Sequence, residues 1–140
     1  MKKRVVFANG AFDLLHPGHV KLLQFAKSQG DWLVVGLNSD RSVQELKGHS
    51  RPVHSEADRK SVLESLRCVD EVIIFDETRP TVLVRRLMPD VVVKGDEYAP
   101  EDIRRIDQVP EGVEIVVCPI MLDLDQEKIS TSKTIKKMQS

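Results

Sequence analysis

The sequence predicts an α/β fold built on one doubly wound, mainly parallel sheet, and three observations carry that prediction. Five short runs rich in Val and Ile are almost wholly apolar, the pattern of strands covered on both faces. Helical patterns lie between them, which asks for parallel strands joined by right-handed crossovers. No repeat, low-complexity tract or linker interrupts the 140 residues, so one domain is expected over residues 1–140, long enough to bury a real core.

The first run, "RVVFA", covers Arg4 to Ala8. A helix is expected from His19 to Gln29, with Val20, Leu22, Leu23 and Ala26 at helical spacing and Gly30 where a C-terminal stop belongs. "WLVVGL" from Trp32 to Leu37 reads as the second strand. "SEADRKSVLESLR" opens on Ser55, an N-cap, and places Val62, Leu63 and Leu66 on one face. "EVIIF" from Glu71 to Phe75 follows as a strand. "RPTVLVRRLMPD" starts a helix near Pro80, tolerated in a first turn, and stops it before Pro89. "DVVVK" (Asp90 to Lys94) and "EIVVC" (Glu114 to Cys118) complete the strands, and "STSKTIKKMQ" closes the chain as a last helix.

Charge and cysteine usage narrow the function classes. Lys and Arg total 21 against 22 Asp and Glu, so no basic face invites nucleic acid and any phosphate chemistry must rely on local cations. Cys68 and Cys118 are far apart and unpaired in spacing, which argues against a disulfide framework or a zinc ribbon and for two buried apolar residues in a reducing compartment. The apolar run after "MKKR" is too short for a signal peptide or membrane span. A soluble, cytoplasmic protein without membrane partners is expected.

In such sheets ligands bind beyond the carboxyl ends of the strands, where strand order reverses. The segments leaving those ends are "NGAFDLLHPGH", "NSDRSVQELKG", "DETRP", "KGDEYAP" and "PIMLDLDQEKISTS", and they hold most of the Asn, Asp, Ser, Thr, Lys and His. In the first, Pro17 and Gly18 suit the opening of a helix, and His16 and His19 flank that start. Orphan N–H groups and the positive helix end make this a natural anion site, to which imidazole donors add. Zinc would need further ligands, and only His49 and His54 remain, both in a loop between helical segments. No metal ligand set is expected. A simple helix-capping role is the competing reading of the histidines.

"GAFDLLHPGH" resembles the F-D-x-x-H-x-G-H signature of the cytidylyltransferase-like nucleotidyltransferases, and "ISTSK" resembles that family's terminal motif. Within the family the likeness is greatest to the adenylyltransferase domain of ADP-heptose synthesis, through "NGAFDLLHPGHVKLL", "LVVGLNSDRSVQELKGHSRPV", "VDEVIIFDE" and "PDVVVKGDEY". The resemblance implies a Rossmann-like sheet in the order 3-2-1-4-5. It also implies transfer of a nucleoside monophosphate from a nucleoside triphosphate to a phosphorylated sugar, with release of pyrophosphate.

The same resemblance assigns roles. His16 and His19 would donate to the triphosphate in the transition state, Lys47 would bridge nucleotide and acceptor phosphates, and Arg59 would face the phosphates. Asn9, Gly10, Ala11, Phe12 and Gly18 would line the nucleotide from the first loop. Lys94, Gly95, Asp96 and Tyr98 would border it from the fourth strand, Asp96 touching ribose, base or magnesium. Ser130, Thr131 and Ser132 would cap the last helix and bind phosphate. Asp13, Asn38, Asp40, Lys47 and Arg51 would receive the acceptor.

Magnesium is expected as the triphosphate's counterion, a homodimer as the assembly, and a separate sugar kinase as a companion in the pathway. Glycerol 3-phosphate cytidylyltransferases share "FDLLH" and "ISTS", which makes CTP with an alcohol phosphate the alternative. Their arginine before the terminal motif is replaced here by Asp125, Gln126, Glu127 and Lys128. A nucleotide-binding module without turnover is the alternative of another class.

Overall fold

The computed structural model describes residues 2–97 and 99–119. Its first half runs β1 (Val5–Gly10), α1 (Pro17–Ser28), β2 (Trp32–Asn38), α2 (Asp40–Lys47) and α3 (Glu56–Glu64). The second half runs β3 (Glu71–Phe75), α4 (Thr81–Leu87), β4 (Val91–Gly95), α5 (Pro100–Ile106) and β5 (Glu114–Cys118). All five strands are parallel, in the order β3-β2-β1-β4-β5, as expected. Order therefore reverses between β1 and β4.

Alternation along β1 divides the core. Val6 and Ala8 join one cluster with Leu22, Leu23 and Ala26 of α1 and Leu63 of α3. Phe7 joins the opposite cluster with Leu83 and Val84 of α4 and with Val109 and Val113 before β5. Each strand is thus covered on both faces, which is why the runs carry so few polar residues. Two glycines mark close approaches: a Cβ on Gly36 would meet the Phe7 ring at 2.6 Å, and one on Gly30 would meet Val6 Cγ2 at the same distance. Cys118 is buried and Cys68 half-buried. Among the described residues no helix is long and apolar enough to cross a membrane.

Two helices correct the sequence reading. "NSDRSVQELKG", expected as loop, carries α2, capped by the Ser39 hydroxyl accepting from Ser42 N–H at 3.1 Å and stopped at Gly48, whose φ is 99°. Only Ser42 and Val43 of α2 are buried, so its apolar stripe is too short to give a helical period. α5 likewise buries only Ile103. Boundaries also move: β1 runs on through Asn9 and Gly10, and α1 begins at Pro17. Ser55 caps α3 as expected, accepting from Asp58 N–H at 3.2 Å.

Candidate active site

The turn between β1 and α1 is strained. Phe12 and Leu14 adopt left-handed φ values of 47° and 53°, a conformation that non-glycine residues seldom hold. Phe12 is buried against Gly10, where an added Cβ would meet its ring at 3.1 Å. Its ring stands edge-on to His19, with centroids 5.4 Å apart. The backbone thus folds back to present the histidines at the carboxyl end of β1.

The two histidines interlock. His16 is the N-cap of α1: its Nδ1 accepts from Gly18 N–H at 3.0 Å, while His16 N–H donates to Nδ1 of His19 at 3.2 Å. Their rings stack at 3.9 Å. The capping role read from the sequence occupies Nδ1 of each ring. Because each Nδ1 accepts, the proton of the neutral ring belongs on Nε2, which becomes the donating edge.

Burial, then the charges of His16 and Lys47, push the His19 pKa down to about 3, with Asp13 opposing. His19 is therefore neutral near pH 7. An unfolded chain takes up this proton near the ordinary histidine value of 6.5, so between about pH 6.5 and 3 the unfolded state holds it and the folded state does not. The stability this ring contributes is complete above that window and is lost as pH falls through it. Urea midpoints measured from about pH 7 to 4.5 should drop less steeply in a His19→Gln variant than in the parent. Identical slopes would mean that His19 titrates normally.

Lys47 lies at the exposed end of α2. Desolvation of its ammonium and the Arg51 guanidinium lower its pKa, Asp13 opposes, and Arg59 lowers it further. Lys47 also acts on His19, so the histidine loop, Lys47 and Arg51 share one electrostatic environment. The structure brings these expected residues together.

Arg59, Asp13, Asn38 and Asp40 were expected on the ligand, and the structure gives them other partners. Arg59 is 2 % exposed. It donates to His54 O at 3.0 Å, to Ala11 O at 2.8 Å, to Asn38 O at 2.7 Å and to Asp40 Oδ1 at 2.8 Å. One guanidinium therefore ties the first loop, the end of β2, the start of α2 and the loop before α3. Asp13 is buried as well, and its carboxylate accepts from Val53 N–H at 2.6 Å and His54 N–H at 3.0 Å. Asn38 donates to Ser42 Oγ at 2.9 Å. These groups tie together the segments that carry Lys47 and Arg51, while Arg59 also lines a cavity beside Phe12 and His54.

Beyond β4, Lys94 donates to Asn9 Oδ1 and pairs with Asp107 at 2.9 Å, with Arg79 on the same carboxylate at 3.4 Å. Arg79 lies in the flagged segment "DETRP"; Asp107 follows α5 and carries no local signal in the sequence. Asp96 Oδ1 is buried and has no hydrogen-bond partner among the described residues, an orphan that asks for a ligand. No cluster of three metal-ligating side chains occurs among the described residues. Tyr98, Ser130, Thr131 and Ser132 lie outside those residues. A concavity of about 760 Å³ lies along α5 and the segment leading to β5, and takes no residue from the histidine loop.

Known proteins match this arrangement over nearly its whole length. The bifunctional protein HldE of Azorhizobium caulinodans is 50 % identical over 135 residues, 96 % of this chain and 27 % of that protein. HldE of Wolinella succinogenes is 47 % identical over 137 residues, 98 % of this chain and again 27 % of the relative. The chain thus spans about a quarter of the length of these curated relatives. A crystal structure of the lipopolysaccharide core biosynthesis protein from Thermoplasma volcanium superposes with a TM-score of 0.72 at 28 % identity, covering 84 % of this chain and 98 % of that one. Pantothenate synthetase from Thermus thermophilus shares the fold, with a TM-score of 0.53 at 21 % identity over 82 % of this chain and 55 % of its own. With the interlocked histidines, Lys47 and the β4 loop all inside a match that covers residues 7–137, the chain belongs to the cytidylyltransferase-like family.

Proposed function

We propose that residues 1–140 act as one nucleotidyltransferase domain that moves AMP from ATP onto heptose 1-phosphate, giving ADP-heptose and pyrophosphate. The observation that carries this reading is the histidine pair, locked by its own Nδ1 atoms at the mouth of α1 beside Lys47. The near-half identity to proteins named HldE favours the heptose acceptor.

In the reaction an oxygen of the acceptor phosphate attacks the α-phosphorus in line. The bond to the bridging oxygen of pyrophosphate breaks, and pyrophosphate leaves with the electron pair. The attacking phosphate is already an anion, so the site needs positioning and charge stabilisation rather than a strong base. The Nε2–H edges of His16 and His19 donate to the triphosphate as its charge shifts. Lys47 and Arg51 bring the acceptor phosphate to the same place, and Arg59, Asp13, Asn38 and Asp40 hold the segments that present them.

Backbone of Gly10, Ala11, Phe12 and Gly18, with Gly95, Asp96 and Tyr98 and the hydroxyls of Ser130, Thr131 and Ser132, serves the nucleotide. Magnesium would travel with the triphosphate, held mostly by phosphate and water, and would neutralise phosphate charge when bound. The orphan oxygen of Asp96 fits it. A cytoplasmic homodimer, supplied by a sugar kinase acting earlier in the same route, completes the reading.

Pyrophosphate release, measured with ATP or CTP against heptose 1-phosphate or glycerol 3-phosphate, tests it. Turnover is expected for ATP with heptose 1-phosphate. CTP with glycerol 3-phosphate as the productive pair would overturn the acceptor and base together, and silence across the panel would leave a binding module.

A further inference from the structure

We propose that the cavity bounded by Asn9, Arg79, Lys94 and Asp107 is the sugar subsite of the acceptor, taking a polyhydroxylated ring while its phosphate reaches toward the histidines. This inference rests on the nucleotidyltransferase reading. It moves Asn9 and Lys94 from the nucleotide, where the sequence placed them, to the acceptor.

The position is right for it. Asn9 is the penultimate residue of β1 and Lys94 that of β4, neighbouring strands at the reversal of strand order. Arg79 arrives on the segment leaving β3.

The chemistry also fits a sugar. A carboxylate accepts from hydroxyls, an ammonium and a guanidinium donate to them, and the Asn9 amide does both. Pro80, Ile103 and Ile106 supply an apolar wall for the C–H face of a ring. The cavity encloses about 170 Å³, well under the roughly 300–1,000 Å³ of pockets that swallow a drug-sized ligand. It suits one ring and not a nucleotide.

Arg79 is 59 % exposed and reaches Asp107 only at 3.4 Å, so it adds little to the fold and is placed at the rim to engage a ligand.

Steady-state kinetics of Arg79→Ala and Asp107→Asn, varying heptose 1-phosphate and ATP in turn, tests the assignment. The KM for the sugar phosphate should rise about tenfold or more, the scale of a lost hydrogen bond to a charged group, with the KM for ATP within about twofold. A rise in the KM for ATP instead, or an unchanged sugar KM in both variants, overturns it. Arg79→Ala keeps the test valid if Asp107→Asn folds poorly, since Arg79 is largely exposed. Should the parent protein turn over no nucleotide with any acceptor, the parent reading fails. Calorimetric titration of heptose 1-phosphate then still decides the subsite: binding weakened by Arg79→Ala upholds it, and no binding to the parent overturns it.

Discussion

Replacing His19 with Ala should lower turnover on the order of 10²–10³-fold, the usual cost of removing one donor aimed at charge that develops in the transition state. The expectation follows from geometry: Nδ1 of His19 is engaged by His16 N–H, so the ring presents Nε2–H in a fixed direction. His16→Ala should lose as much turnover and also destabilise the protein by about 1 kcal/mol, because His16 caps α1 through Gly18 N–H. His16→Asn separates the two effects. Its amide oxygen restores a cap acceptor, so stability should recover while turnover does not. Pyrophosphate release and urea midpoints on the three variants check this, and a His19→Ala enzyme with more than about a tenth of parental turnover would remove the pair from the chemistry.

The largest stability effect is expected at Arg59. Truncation to Ala would strand the carbonyl oxygens of Ala11, Asn38 and His54 and leave Asp40 without its cation. Breaking a buried ion pair from one side costs about 3–5 kcal/mol. Asp40 keeps 38 % exposure and can rehydrate, so the lower end, about 3 kcal/mol, is expected, a large share of the stability of a small domain. Arg59→Lys retains the charge but not the fork, and a single ammonium cannot span the same set of acceptors. It should unfold at lower urea and lose activity in step. A lysine variant with parental stability and lost turnover would mean that Arg59 acts on the substrate directly.

What the sequence disclosed and what it concealed divide along a physical line. The strands were legible because each is a continuous apolar run, although their order came only with the family resemblance, and Ser55 and Pro17 announce helix starts through purely local chemistry. The histidine pair was legible for the same reason, since its hydrogen bonds close within three residues. The bracing role of Arg59 was not legible, because its partners include backbone oxygens as far as 48 residues away. Asp13 meets amides 40 and 41 residues ahead. Nothing in a residue's own neighbourhood announces a partner that only tertiary folding delivers. Asp107 is the same case, gathered to Lys94 by the placement of α5. Helices α2 and α5 escaped notice because so little of either is buried.

The Asp13 latch has a consequence for how substrates are met. A residue of the histidine turn clasps the strip bearing Arg51, so two arms of the crevice are yoked before any ligand arrives. On the proposed function, an incoming phosphate would find its cradle preorganised and lose little affinity to ordering it. Altering acceptor preference by grafting a foreign 48–54 strip would therefore fail unless the graft offered two amides at the same spots, because slack introduced there would be transmitted to the imidazoles.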